Sequence, residues 1–175
     1  MKKQLLALSA LTLALMYGSA MAAHGDVQFT GVVTNTTCDV NPGVGGAVNN
    51  LVQLGTAAPG GQGSIVNFSL KPDMTQAGCT GLTGANTVTI TWNGPFDANG
   101  LTAQSGAATD AWTEITHTNA TGTAVTIDAT SLSSSISGDE FIANGGDGAT
   151  FTAQLNAGNN PGDYVSAAAY IVAYN

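Results

Sequence analysis

Hydrolytic or acyl-transfer chemistry needs a nucleophile, a base and a group that orients the base. In this chain His117 with Asp110 or Asp128, and one of many serines, are the residues that could fill those roles. No Gly-x-Ser-x-Gly elbow accompanies them, and without it a serine is not presented for attack. His117 is therefore expected on a strand surface, and the chain is expected not to be an enzyme. Metal chemistry fares no better. There is no Cys-x-x-Cys, and His24 and His117 lack ligand-spaced neighbours. Asp97 and the Asp139-Glu140 pair lack the every-second-residue oxygens of a calcium loop and are read as solvated loop acids. Gly145-Gly146-Asp147-Gly148 occurs once, whereas calcium-binding repeats of that kind work by stacking, so it is read as a turn. Asn35-Thr36-Thr37, Asn67-Phe68-Ser69 and Asn119-Ala120-Thr121 match the glycosylation acceptor pattern, as is expected by chance in a Thr-rich chain. No metal and no cofactor are expected.

Cys38 and Cys79 are the two cysteines. An even count in an exported chain is read as a disulfide. Export is indicated by the first 22 residues. Lys2 and Lys3 form a charged start, Leu5 to Met16 an apolar stretch, and Ala20-Met21-Ala22 a small-x-small cleavage site. The apolar run is about a dozen residues, where a membrane-spanning helix needs ~20. The expected mature chain begins at Ala23. Losing Lys2 and Lys3 moves the formal charge from −8 to −10 and leaves Lys71 as the sole Lys or Arg. Nucleic acid and anionic membrane surfaces, which are held by clustered basic groups, are thereby excluded as partners.

The elements that must carry these residues are short strands. The mature length fits one domain, and a composition rich in Thr, Val, Ala, Gly and Asn favours strands and turns over helices. Strands are predicted at Leu51 to Gly55, Ser64 to Leu70, Thr87 to Trp92, Trp112 to His117, Ala124 to Asp128 and Ala149 to Leu155. Val88, Ile90 and Trp92 are placed inward, as one face, and so are Phe151, Ala153 and Leu155. Asn41 to Gly46, Asn99 to Thr109 and Ser131 to Gly148 read as loops. No helix of convincing length, internal repeat or interdomain linker is found. Several short strands with turn signals between them make an all-β sandwich. Trp92 and Trp112 are both assigned to its core. Were they exposed, the chain would instead read as a secreted carbohydrate-binding module acting as a monomer.

The final stretch, Gly162 to Asn175, alternates at strand period. Tyr164, Ser166, Ala168, Tyr170, Val172 and Tyr174 share one face, and Val165, Ala167, Ala169, Ile171 and Ala173 the other. A strand apolar on both faces calls for cover above, below and beside it, and only Asn175 follows in the sequence. Gly162, fourteenth from the end, with Tyr174 next to last, resembles the C-terminal signature of pilin subunits of the chaperone–usher pathway, the type 1 fimbrial protein family. Near the other end, Gly25, Val27, Phe29, Gly31 and Val33 share one strand face, with His24, Asp26, Gln28 and Thr30 opposite. Val27 to Val33 also reads as the first strand of a closed sandwich, with Ala23 to Asp26 expected to be disordered ahead of it. Cys38 after them and Cys79 beyond the next strand match the family pattern, which thus spans essentially the whole mature chain, and Leu51 to Gly55 resembles the family's linear-Gly strand.

That resemblance implies an immunoglobulin-like sandwich lacking its final strand, with residues 1–22 a signal peptide, 23–31 a donor-strand extension and 32–175 the pilin domain. It implies that Gly25, Val27 and Phe29 of one subunit fill the groove beside Gly162, Tyr164, Ala168, Tyr170, Val172 and Tyr174 of its neighbour. A periplasmic chaperone would occupy that groove before assembly. The implied partners are other copies of the chain, the chaperone and an outer-membrane usher. The implied place is a surface fimbrium used in adhesion, reached through the periplasm. With no room for a lectin domain, the chain reads as a shaft subunit rather than a tip adhesin.

Overall fold

A computed structural model describes residues 38–175. Two antiparallel sheets face each other. The larger runs in the order β2-β1-β3-β9-β6-β5, with β7 also paired to β6, and the smaller in the order β10-β4-β8. The strands of the larger sheet are β1 (Val40–Val44), β2 (Ala47–Val48), β3 (Val66–Pro72), β5 (Leu101–Thr102), β6 (Trp112–His117), β7 (Val125–Ile127) and β9 (Ala149–Asn156). Those of the smaller are β4 (Thr87–Asn93), β8 (Ser133–Ser137) and β10 (Ala169–Tyr174). Three four-residue helices, α1 (Ala77–Thr80), α2 (Gly138–Phe141) and α3 (Ala143–Gly146), connect them.

The core follows from the period of two. Leu70 of β3, Ile115 of β6, Phe151 of β9, Val88, Ile90 and Trp92 of β4, and Ile136 of β8 all turn inward and are buried. Phe68, Phe151 and His117 are directly opposite one another on β3, β9 and β6. Their rings stack in sequence at 5.1 and 4.6 Å. Trp92 comes from the facing sheet edge-on to Phe151, with centroids 5.4 Å apart, an arrangement that sets the positive ring edge on a negative face. Cys38 and Cys79 form the expected disulfide, their Cα atoms 4.7 Å apart.

Five expectations are corrected. His117 is fully buried rather than on the surface, because the inward alternation Thr113, Ile115, His117 carries it into the core. Trp112, one residue out of that phase, is half-buried and lies outside the core. Asn41 to Gly46 is not a loop: β1 and β2 form a hairpin across Gly45 and Gly46 (φ +59° and +86°), the two positive angles that a tight primed turn requires. Ser131 to Gly148 contains β8, α2 and α3, and Leu101–Thr102 forms β5 within Asn99 to Thr109.

Candidate functional site

The terminal stretch is less regular than its alternation predicts. Only Ala169–Tyr174 forms β10, paired with β4 from Ala169↔Asn93 to Tyr174↔Val88. Upstream, residues 163–167 are laid against a loop. The Val165 amide donates to the Ser105 carbonyl, and the Gln104 and Ser105 amides donate to the Val165 carbonyl. The Ala108 amide donates to the Asp163 carbonyl, and the Ala167 amide to the Gln104 side chain. Two glycines permit this approach. A Cβ on Gly106 (φ +98°) would collide with the Asp163 carbonyl, and one on Gly162 (φ +150°) with Ala107.

This bonding has a parity. Asp163, Val165 and Ala167 spend their main-chain groups on the loop. At the far end the Asn175 and Thr87 amides and carbonyls exchange two bonds, at 3.0 and 2.8 Å, so the ladder's alternation points Ala169, Ile171 and Ala173 at β4 as well. The even residues therefore turn their main-chain groups to the other edge. Those of Tyr164, Ser166 and Ala168 meet no partner among the described residues, and Tyr170 and Val172 face the same way. From Tyr164 to Val172, one edge is thus occupied and the other is open among the described residues.

Side chains of the same even residues point inward and anchor the stretch. The Tyr164 hydroxyl donates to the Leu101 carbonyl (2.8 Å), Tyr170 to Val40 (3.0 Å) and Tyr174 to Cys38 (2.8 Å). Burial raises the pKa of all three phenols, for Tyr174 with added repulsion from Asp39 and Tyr170, so each keeps the proton it donates. Val165, Ala167 and Ala169, on the outer face, are exposed. The cover predicted for that face is not present among the described residues.

Along the open edge runs a groove of about 880 Å³. One wall is Asn160 to Ala168 with Tyr170. The other is Asn49 to Ala57, which includes the predicted Leu51 to Gly55 strand. That segment forms no strand ladder and leaves Leu51 58% exposed. The floor is the inner face of the large sheet, including Leu70, Thr113, Ile115, Ala153 and Leu155. The core is divided along this groove. The main cluster holds Leu70, Trp92, Ile115 and Tyr170. A smaller one joins Ala108, Ala111 and Leu155 with Leu54, Ala57 and Tyr164.

Of the site residues predicted from sequence, Tyr164, Ala168 and Tyr170 line the groove with Gly162, while Val172 and Tyr174 continue the same inward face beyond it. Gly25, Val27 and Phe29, and the boundaries at residues 22 and 31, lie outside the described residues. Sequence reasoning read residues 99–109 as a loop and put Ser166 on the face of Tyr164 and Tyr170, but missed that Gln104 to Ala108 docks on the terminal stretch and that Thr113 turns inward. Gly106 was the available signal for the loop. His117 has no carboxylate partner: its ring contacts are Ser134 Oγ (2.8 Å) and Asn119 Oδ1 (3.1 Å), and burial lowers its pKa to about 4. Asp110 instead accepts the amides of Asn159 and Asn160, and Asp128 those of Thr130 and Ser131.

The described residues thus form a sandwich with a divided core and a main-chain edge left open beside it. Sequence comparison makes this specific. The chain is 40% identical over 172 residues to the F107 fimbrial protein of Escherichia coli, covering 98% of this chain and 99% of that protein. It is 36% identical over 101 residues to the K99 fimbrial protein of the same organism, 58% of this chain and 54% of that one. It belongs to this family of fimbrial proteins, which are structural and not enzymes. The crystal structure of the P pilus rod subunit PapA has the same fold, with a TM-score of 0.51 and 15% identity over 87% of this chain and all of that one. No protein-family model matches the chain.

Proposed function

We propose that the chain is a shaft subunit that polymerises head to tail by donor-strand exchange into an adhesive surface fimbrium. The observation that carries this reading is the coincidence of the open edge and the divided core on one groove. An inserted strand would take the main-chain groups of Tyr164, Ser166, Ala168, Tyr170 and Val172 as its ladder, and its alternate side chains would join the two clusters. Gly25, Val27 and Phe29 of a neighbouring copy are the proposed insert. Nine extended residues, 23–31, reach about 30 Å. Before assembly a strand of a periplasmic chaperone holds the site, and an outer-membrane usher receives the complex. Because such contacts are heterologous and do not close, they build filaments rather than rings.

The test is to refold the mature chain and a version lacking residues 23–29 without chaperone. SDS-resistant ladders from the first and none from the second are expected. Stable, cooperative monomers from both would overturn the reading. Val27→Asp or Phe29→Asp is expected to abolish polymers while leaving export intact, since a charge cannot enter an apolar pocket unpaired. The monomeric carbohydrate-binding alternative loses its support at Trp92, which is buried against Phe151 and Tyr170.

A further inference from the structure

Trp112 is the large side chain that the proposed assembly leaves unused. Its strand, β6, turns Thr113, Ile115 and His117 inward, so Trp112 and Glu114 stand on the outer face of the large sheet, about 7 Å apart along the strand. On that face Trp112 is opposite Asn156 of β9, and Glu114 is opposite Gln154. Neither the indole nor the exposed Glu114 carboxylate has a side-chain partner among the described residues. The Trp92 indole N–H is buried, whereas that of Trp112 is open to solvent. The groups beside them are held in place. Gln62 Nε2 donates to Asn156 Oδ1 (2.8 Å), Asn156 Nδ2 to the Gln154 carbonyl (3.3 Å) and Gln154 Nε2 to the Gly63 carbonyl (3.0 Å). Gln154 Oε1 is thereby left as an acceptor on a side chain already fixed, which lowers the entropy lost when a ligand binds.

An indole face beside a free N–H donor, a free carboxylate and a fixed amide oxygen matches the two sides of a pyranose ring. The C–H side of the sugar rests on the negative face of the indole, its hydroxyls donate to Glu114 and Gln154, and a sugar oxygen accepts from the indole N–H. The charge on this face decides which sugars enter. Glu114 has no cation beside it: Lys71 follows Leu70, whose partner Ala149 lies about 24 Å along β9 from Asn156. An acidic sugar would therefore meet an uncompensated carboxylate and be refused. Resting on the adhesive fimbrium proposed above, we propose that Trp112, Glu114 and Gln154 form a saccharide platform for neutral hexose termini of glycans. The platform is on the opposite face of β6 and β9 from the groove floor, because Thr113, Ile115, Ala153 and Leu155 alternate with its residues. Strand insertion and sugar binding thus use two sides of one sheet, and every subunit of a filament carries one platform.

The experiment titrates the full mature chain with methyl β-galactoside, methyl α-mannoside and lactose, following the indole N–H signals of Trp92 and Trp112 by NMR. At least one sugar is expected to shift the Trp112 signal saturably, with Kd of about 1 mM, and to leave that of Trp92 in place. Trp112→Ala is expected to abolish binding while forming the same SDS-resistant ladders, since Trp112 does not line the groove. Glu114→Gln is expected to weaken binding at least about tenfold, the factor for a charged hydrogen bond. Glu114→Lys is expected to admit sialyllactose, which the parent refuses, and decides the matter should Trp112→Ala not fold. No shift with any of the three sugars, or sugar binding unchanged by Trp112→Ala, would overturn the platform. Ladders without sugar binding would overturn the platform and leave donor-strand exchange standing; sugar binding without ladders from the unaltered chain would do the reverse.

Discussion

The imidazole of His117 ties the two sheets together, and its protonation state can be deduced from its neighbours. Asn119 Oδ1 already accepts the Thr150 amide while Nδ2 donates to the Gly148 carbonyl, which fixes the carboxamide's orientation. His117 Nε2 must therefore donate to Oδ1, leaving Nδ1 to accept from the Ser134 hydroxyl on the opposite sheet. The ring is neutral, and burial pulls its pKa from 6.5 to about 4. Between those values the unfolded chain binds the proton and the folded chain does not, so stability rises with pH across that window. The contribution is complete above pH 6.5 and is lost as pH falls toward 4, as much as about 3 kcal/mol in all. Urea unfolding at pH 7 and pH 4.5 is expected to show most of this loss. His117→Leu should remove the dependence while lowering stability at pH 7, because Ser134 and Asn119 lose their partner. The aspartates act lower on the scale. Asp73, favoured as an anion first by the Thr75 hydroxyl, and Asp128, by the Thr130 hydroxyl, have lowered pKa values, so their contribution is present above pH 3.8 and lost as pH falls below it. A pH profile unchanged by His117→Leu would refute the assignment.

At the scale of elements, the alternating parity of the terminal stretch separates stability from assembly. Proline removes one main-chain donor. At Ile171 that donor points to β4, so Ile171→Pro is expected to destabilise the isolated subunit strongly, by several kcal/mol. At Ala168 the donor points to the open edge, so Ala168→Pro should leave folding nearly intact and cut polymer yield. Equal effects of the two on thermal unfolding would contradict the parity. Much of this element was legible in the sequence: the inward set Tyr164, Ser166, Ala168, Tyr170, Val172 and Tyr174 is the one observed. So were β4, β7 and β9, where apolar residues alternate strictly or nearly so, and the position of β6, though not its phase, since Trp112 falls outside the inward set Thr113, Ile115 and His117. Illegible was β8, Ser133–Ser137, in which Ser134 and Ile136 face inward and only one is apolar. Its place is set by pairing with β4 and by the Thr89 and Thr91 hydroxyls meeting Ser135 and Ser133, contacts distant in sequence. The β1–β2 hairpin was hidden because Pro42 and its glycines read as turn residues. The strand expected over Leu51 to Gly55 was legible only as an apolar run. It has no strand beside it to pair with among the described residues, and it lines the groove instead.

For the molecule as a whole, the disulfide and the groove are mechanically joined, since Tyr174 donates to the carbonyl of Cys38 itself. Closing a separation of 41 residues stabilises by roughly 4 kcal/mol in the chain-entropy model. Reduction is therefore expected to lower the unfolding midpoint in urea and, by loosening Cys38, to slow strand acceptance. Charge sets the kinetics of assembly in a different way. With the cleavage proposed after Ala22, the loss of Lys2 and Lys3 would take the formal charge from −8 to −10, so that copies of the chain would repel one another. The groove and the Gly25, Val27 and Phe29 face that would meet it are apolar. In the proposed exchange, encounter between subunits would be opposed by long-range repulsion, while the joined state would be held by short-range burial and main-chain bonds. Salt screens the first and hardly touches the second: the Debye length falls from about 30 Å at 0.01 M to about 8 Å at 0.15 M. Polymerisation of chaperone-free subunits is accordingly expected to accelerate several-fold across that range, with the dissociation rate of finished ladders unchanged. Slower assembly in salt would mean that opposite charges steer the encounter. With Lys71 the sole Lys or Arg of the mature sequence, there is little positive charge to do so.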